Sequence, residues 1–124
     1  MLTYEQTTGK LLGLAPRVYL GYSGFGRWKN NPDFEFAHNV GPVPAGSYAL
    51  SDPFNDPLHG PLCFWLWPKP GTETFGRTGL MVHGDSKEHP GSASHGCIAM
   101  EHEGRQAMAA SREQELEVVE GIKP

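Results

Sequence analysis

Apolar and polar residues alternate in short bursts along this chain, and glycine, proline or asparagine closes each burst within a few positions. LTYEQ and LLGLA flank TTGK, which predicts two strands joined through a turn at Gly9. VYLGYSGFG predicts a strand that ends in a glycine-rich loop. In GPVPAGSYAL two prolines fix the backbone, Gly46 frees it, and SYAL resumes as a strand. LCFWLW is almost wholly apolar, aromatic, and too short for a core helix, so it predicts a buried strand. GLMVHGD predicts an apolar strand stopped by a glycine and an aspartate. EGRQAMAASRE holds good helix formers and no proline, and predicts the one helix, with Ala107, Met108 and Ala110 against the core. ELEVVEG then alternates, Leu116 and Val118 on one side and Glu115, Glu117 and Val119 on the other, as a half-buried strand does. RWKNNPDFEFAHN, SDPFNDPLHGP and PKPGTETFGRTG are read as loops.

These elements predict a mainly β domain, a small sandwich or barrel with one C-terminal helix. The 124 residues predict a single domain, residues 1–124. The 16 glycines and 11 prolines are spread throughout, which suits many short strands and tight turns. Two cysteines are too few for a disulfide framework. A net charge of −4 with no basic block argues against nucleic acid as a partner. No apolar run approaches the roughly 20 residues of a membrane span. MLTYEQTTGK lacks the basic and apolar regions of a secretory signal, so cytoplasmic synthesis is expected.

Cys63 inside LCFWLW reads as a buried structural thiol. Cys97 has a different setting, since it follows Ser94-His95-Gly96 and precedes an apolar run. A thiol is a weak nucleophile at neutral pH, because its ordinary pKa is about 8.5. An imidazole that takes its proton raises the thiolate fraction. His83 ends the LMVHGD strand, and the loop between it and Cys97 is long enough to fold back and bring the two together. Gly96 lets backbone approach a substrate closely, and the amides of Gly96 and Cys97 are candidate oxyanion donors. A metal site stands as the competing reading: His83, His89 and His95 are spaced six apart, with Cys97 as a fourth ligand. That spacing matches no compact zinc pattern, and no cofactor is expected. His38, His59 and His102 read as surface or structural residues.

HGD…SASHGCIAM resembles the signature of YkuD-type L,D-transpeptidases: a histidine, a spacer, then Ser/Thr-His-Gly-Cys and an apolar residue. Pro44, Gly46 and Tyr48 in GPVPAGSYAL match the family's Pro-x-Gly-x-aromatic strand entry, and the tail QAMAASREQELEVVE matches its helix and strand. Two features depart from the housekeeping enzymes. The spacer between His83 and Ser94 is only ten residues, and Ala99 stands where an arginine is usual. Both departures resemble the compact L,D-transpeptidase-like effectors delivered by type VI secretion systems.

The resemblance implies a cysteine acyltransferase that acts on peptidoglycan tetrapeptide stems, as a carboxypeptidase removing D-alanine or as a transpeptidase exchanging it for a D-amino acid. Cys97 is then the nucleophile and His83 the base. His95 orients substrate or supports the oxyanion region, and the backbone carbonyl of Ser94 holds the histidine. Arg77 is the candidate replacement for the missing arginine. Tyr22 and Ser23 are candidates to line the cleft, and Gly84 and Asp85 of the HGD element join the substrate-binding set. The implied partners are peptidoglycan stem peptides, an immunity protein and type VI secretion components. The implied place of action is the periplasm of a target bacterium. Two alternatives of other classes are a non-catalytic wall-binding module of the same fold and a zinc-binding structural protein.

Overall fold

Period-two runs bury every second side chain, and here the buried sides turn inward around a closed barrel. A computed structural model describes residues 1–121. Its elements are β1 (Leu2–Glu5), β2 (Lys10–Leu12), β3 (Tyr19–Ser23), β4 (Gly46–Leu50), β5 (Phe54–Asp56), β6 (Gly60–Pro68), β7 (Met81–His83), β8 (Ile98–Met100), α1 (His102–Ser111) and β9 (Glu115–Val119). Two short 3-10 turns lie in the segment between β3 and β4. Eight strands run in the order β4-β9-β1-β2-β3-β8-β7-β6 around the barrel, and pairing of β6 with β4 closes it. Closure removes the exposed edges that short strands would otherwise leave unpaired. β5 lies outside the ring, on β6.

The interior is built from the alternate residues of each strand. Leu2 and Tyr4, Tyr48 and Leu50, Phe64 and Leu66, and Leu116 and Val118 all face inward with Val82, Ile98 and Met100. α1 packs against β3 and β6 and adds Met108 to this core. The expected mainly β architecture with a C-terminal helix is therefore the observed one, as a barrel rather than a sandwich.

Three local expectations differ from the structure, and one strand lies where none was expected. β2 stops at Leu12 because Gly13 turns the chain at φ +104°. SDPFNDPLHGP contains the strand β5: Pro53 and Pro57 flank it, and an outer strand tolerates prolines at its ends. The residues after Cys97, Ile98–Met100, form a strand of their own. Ala110 is exposed, because the helical turn puts Gly104, Arg105 and Met108 on the inner side.

β7 and β8 run parallel, with Val82 beside Ile98 and His83 beside Ala99. This pairing gives the sheet its functional geometry. Val82, Ile98 and Met100 point into the core, so His83 and Ala99 point to the outer face of the barrel. Tyr22 on β3 pairs with Ala99 from the other side. Tyr22, Ala99 and His83 thus form one row across three strands.

Candidate active site

Cys97 lies in the bend one residue before β8, whose parallel neighbour β7 carries His83. His83 is 1% exposed, and its Nδ1–H donates to the carbonyl of Gly84 at 2.7 Å. That bond fixes the tautomer and leaves Nε2 as the acceptor. Burial is the main cause that pulls the His83 pKa below its ordinary value, with His59 and Arg105 acting the same way.

The Cys97 thiol donates to the carbonyl of Gly79 at 3.6 Å. Burial pushes its pKa up, against the lowering effects of the Met81 backbone and Arg77. Thiol and imidazole are both favoured in their neutral forms, and they make no hydrogen bond to each other in this resting arrangement. A cleft of about 270 Å³ opens at Cys97, with His95 and Gly96 on one side and His38 and Asn39 on another. An apolar groove lined by Trp65 and Trp67 adjoins it across Thr78–Leu80.

The backbone of Cys97 is anchored from below. Its carbonyl accepts from Ser94 Oγ at 2.5 Å and from Ser23 Oγ at 2.9 Å. Ser94 Oγ in turn accepts from the amides of Gly24 and Gly96. Ser94 therefore holds the cysteine loop, and the carbonyl that receives the histidine is that of Gly84. Because it bonds to Ser94, the Gly96 amide is already engaged at 3.2 Å. Ser23 is fully buried and does not line the cleft; besides Cys97 it contacts the Val43 amide.

Arg77 lines the cleft at Cys97, but its donors are already engaged. It is 6% exposed, and its guanidinium donates to the carbonyls of Glu35, Pro42, Gly41 and Gly96. A group so engaged fastens the 35–42 segment to the cysteine loop rather than offering a free fork to a substrate carboxylate. It also explains Gly96: a Cβ there would lie 2.2 Å from Arg77 Nη2, and φ is +121°.

Tyr22 and Asp85 are committed to each other. The Tyr22 hydroxyl donates to Asp85 Oδ1 at 2.6 Å and accepts from the Ala93 amide at 2.8 Å. Burial and this bond push the Tyr22 pKa up to about 12. Asp85 also accepts from the amides of Ser86 and Gly91. Together they pin the spacer between His83 and Cys97 onto β3. Gly84 lies under Arg105, whose guanidinium would be 2.8 Å from a Cβ there. His95 is exposed at the cleft and stacks on Phe25 with ring centroids 5.1 Å apart.

Three neighbours escaped the sequence reading. Arg105 is buried against Gly84 and donates to the carbonyls of Met100 and Pro61; its spacing from Met108 put it on the inner side of α1, a signal that was present. His38 donates to the Phe75 carbonyl and walls the cleft. His59 stacks on His83, and nothing in sequence spacing points to that. The histidines of the competing metal reading separate: His83 stacks on His59 and His95 on Phe25. Among the described residues no group of three or more His, Cys, Asp or Glu is gathered for a metal ion.

The chain is thus a closed, mainly β barrel with a histidine at the end of β7 and an anchored cysteine just before its parallel neighbour β8. The sequence profile described as the Tlde1 domain matches residues 17–122, and the chain belongs to that family, type VI secretion effectors with L,D-transpeptidase-type activity directed at the wall of a target cell. No curated protein matches the chain. No helix among the described residues is long and apolar enough to cross a membrane.

Proposed function

We propose that this protein cleaves or exchanges the terminal D-alanine of peptidoglycan tetrapeptide stems, with Cys97 as nucleophile and His83 as general base and acid. The observation that carries the reading is the His83 Nδ1–H bond to the Gly84 carbonyl, on the strand parallel to the cysteine. It leaves Nε2 unprotonated, on the strand that neighbours the cysteine loop. In the reaction, the stem enters the cleft and the thiol turns from the Gly79 carbonyl toward His83. Nε2 takes the proton as sulfur attacks the carbonyl carbon at the L-centre of diaminopimelate. The C–S bond forms, the C–N bond to D-alanine breaks, and His83 returns the proton to the departing amine. Water or the amine of a D-amino acid, deprotonated by His83, then resolves the thioester. The Cys97 amide supports the developing oxyanion, and His95 at the cleft rim is suited to orient the stem.

The neutral resting pair favours transfer on substrate arrival over a preformed ion pair, which keeps the thiol quiet until the cleft is filled. Action in the periplasm and control by an immunity protein follow from the same reading, as does delivery through type VI secretion components.

The test is incubation with purified tetrapeptide muropeptides, with and without D-methionine, read by mass. Loss of alanine, or its replacement, is expected with the wild type. Cys97→Ala abolishes both, and His83→Ala slows them by roughly 100-fold or more. Unchanged tetrapeptides with folded wild-type protein sink the proposal and favour a wall-binding module. Zinc bound stoichiometrically through Cys97 sinks it in favour of the metal reading.

A further inference from the structure

The turn between β5 and β6 overhangs the site. Asp56 Oδ2 accepts from the amides of Leu58 and His59 and from His59 Nδ1, all at 2.9–3.0 Å. One carboxylate thereby shapes the turn and fixes the His59 ring. That ring stacks on His83 with centroids 4.2 Å apart and planes 26° apart.

The two imidazoles differ in access to solvent. The His59 side chain is 33% exposed and has a carboxylate beside it, while His83 is 1% exposed and bonds only a carbonyl. Asp56 thus bonds the His59 ring, which covers His83 and acts against protonation of the imidazole beneath it.

The other groups around His83 are few. Arg105 of α1 lies against Gly84 and acts in the same direction as His59. Asp56 acts in the opposite direction. Cys63 of β6, beside the Val82 partner Phe64, is a buried thiol whose pKa burial pushes up, so it stays neutral. Ala99 on β8 carries no charge.

The geometry points to the Asp56–His59 pair as a positioning device for His83: a stacked ring, itself held by a carboxylate, that covers the imidazole and fixes its plane. This rests on the reading of His83 as the base, and it adds a residue pair outside the cysteine–histidine motif.

His59→Ala and His59→Phe test it. His59→Ala uncovers His83 and removes a ring that acts against its protonation, and both changes raise the affinity of His83 for a proton. The acid limb of kcat/KM on tetrapeptides is expected to move to higher pH by about half a unit or more, with kcat falling by roughly tenfold or more and KM nearly unchanged. His59→Phe restores the flat cover and is expected to recover most of kcat. NMR titration of the His83 ring, which needs no substrate, is expected to show the same upward shift in His59→Ala. An unmoved His83 titration in folded His59→Ala overturns the inference, and so does a kcat loss that His59→Phe fails to recover. A wild type inert toward tetrapeptides would defeat the proposed function instead, and the ring titration would still decide this one.

Discussion

Replacing Arg77 with alanine separates a structural arginine from a substrate-binding one. Its guanidinium makes two bonds of 2.6 Å, to the carbonyls of Glu35 and Pro42, and longer ones of 3.1 and 3.4 Å to Gly41 and Gly96. Hydrogen bonds from a charged donor contribute about 1.5–3 kcal/mol each, so the two short ones alone represent roughly 3–6 kcal/mol. Part is returned, because burial of the guanidinium is itself costly, as its lowered pKa shows. A net loss of about 3 kcal/mol follows, which for a domain of this size lowers Tm by roughly 10 °C. Arg77→Lys keeps the charge but loses the planar fork and is expected to fall between. Thermal unfolding by circular dichroism gives the first readout, and kcat and KM on tetrapeptides the second. Arg77→Ala should reduce kcat, since the Gly96–Cys97 turn loses its anchor, with a smaller effect on KM. An unchanged Tm together with a KM raised tenfold or more would refute the reasoning and return Arg77 to the substrate carboxylate.

Three further outcomes are expected. Gly96→Ala should cost most of the activity and several degrees of Tm, because the new Cβ meets a pinned guanidinium at a φ of +121°; wild-type kinetics would show that the turn yields. His83 works deprotonated and its pKa is lowered, so kcat/KM should hold below pH ~6.5, the ordinary histidine value, while Cys97 alkylation without substrate should rise only above the ordinary thiol range; fast alkylation at neutral pH would reveal a preformed ion pair. Tyr22→Phe removes the hydroxyl between Asp85 and the Ala93 amide, so hydrogen exchange across residues 86–93 should quicken and kcat fall; unchanged exchange would mean that the spacer is held otherwise.

Much of the frame was legible because burial repeats every second residue. ELEVVEG begins where β9 does, at Glu115, since nothing in the segment competes with its alternation, but the strand ends at Val119, two residues earlier than expected. LCFWLW lies within β6, which is longer because it serves β4, β5 and β7 in turn. β5 was hidden by its flanking prolines, and β8 by its three-residue length. At the candidate site, Cys97 and His83 stand out in the sequence because their setting is chemically unusual for a core, and the structure sets them at neighbouring strands. The roles of Ser23, Ser94 and Arg77 were not, because their partners are backbone carbonyls and amides distant in sequence. Side-chain types are printed in a sequence, but which carbonyl a loop turns inward is not. His59 reaches His83 only through the β5–β6 turn, a contact that exists once the barrel has closed.

The two buried arginines divide the electrostatic work of the pair. Arg77 lies near Cys97 and favours the thiolate; Arg105 lies near His83 and disfavours the imidazolium. Burial outweighs the first effect at rest, so the thiol keeps its proton. In the proposed mechanism, a thiolate formed as substrate draws that proton onto Nε2 would gain from Arg77, while the imidazolium would be held at a disadvantage by Arg105 and His59. Such an imidazolium would give its proton up readily to the departing amine. Ala99 fits this arrangement. It is 1% exposed in the row between Tyr22 and His83, where a long cationic side chain would have to displace one of them. The positive charge instead arrives from two sides, through arginines whose other donors are spent on backbone carbonyls, and each acts on a different member of the pair.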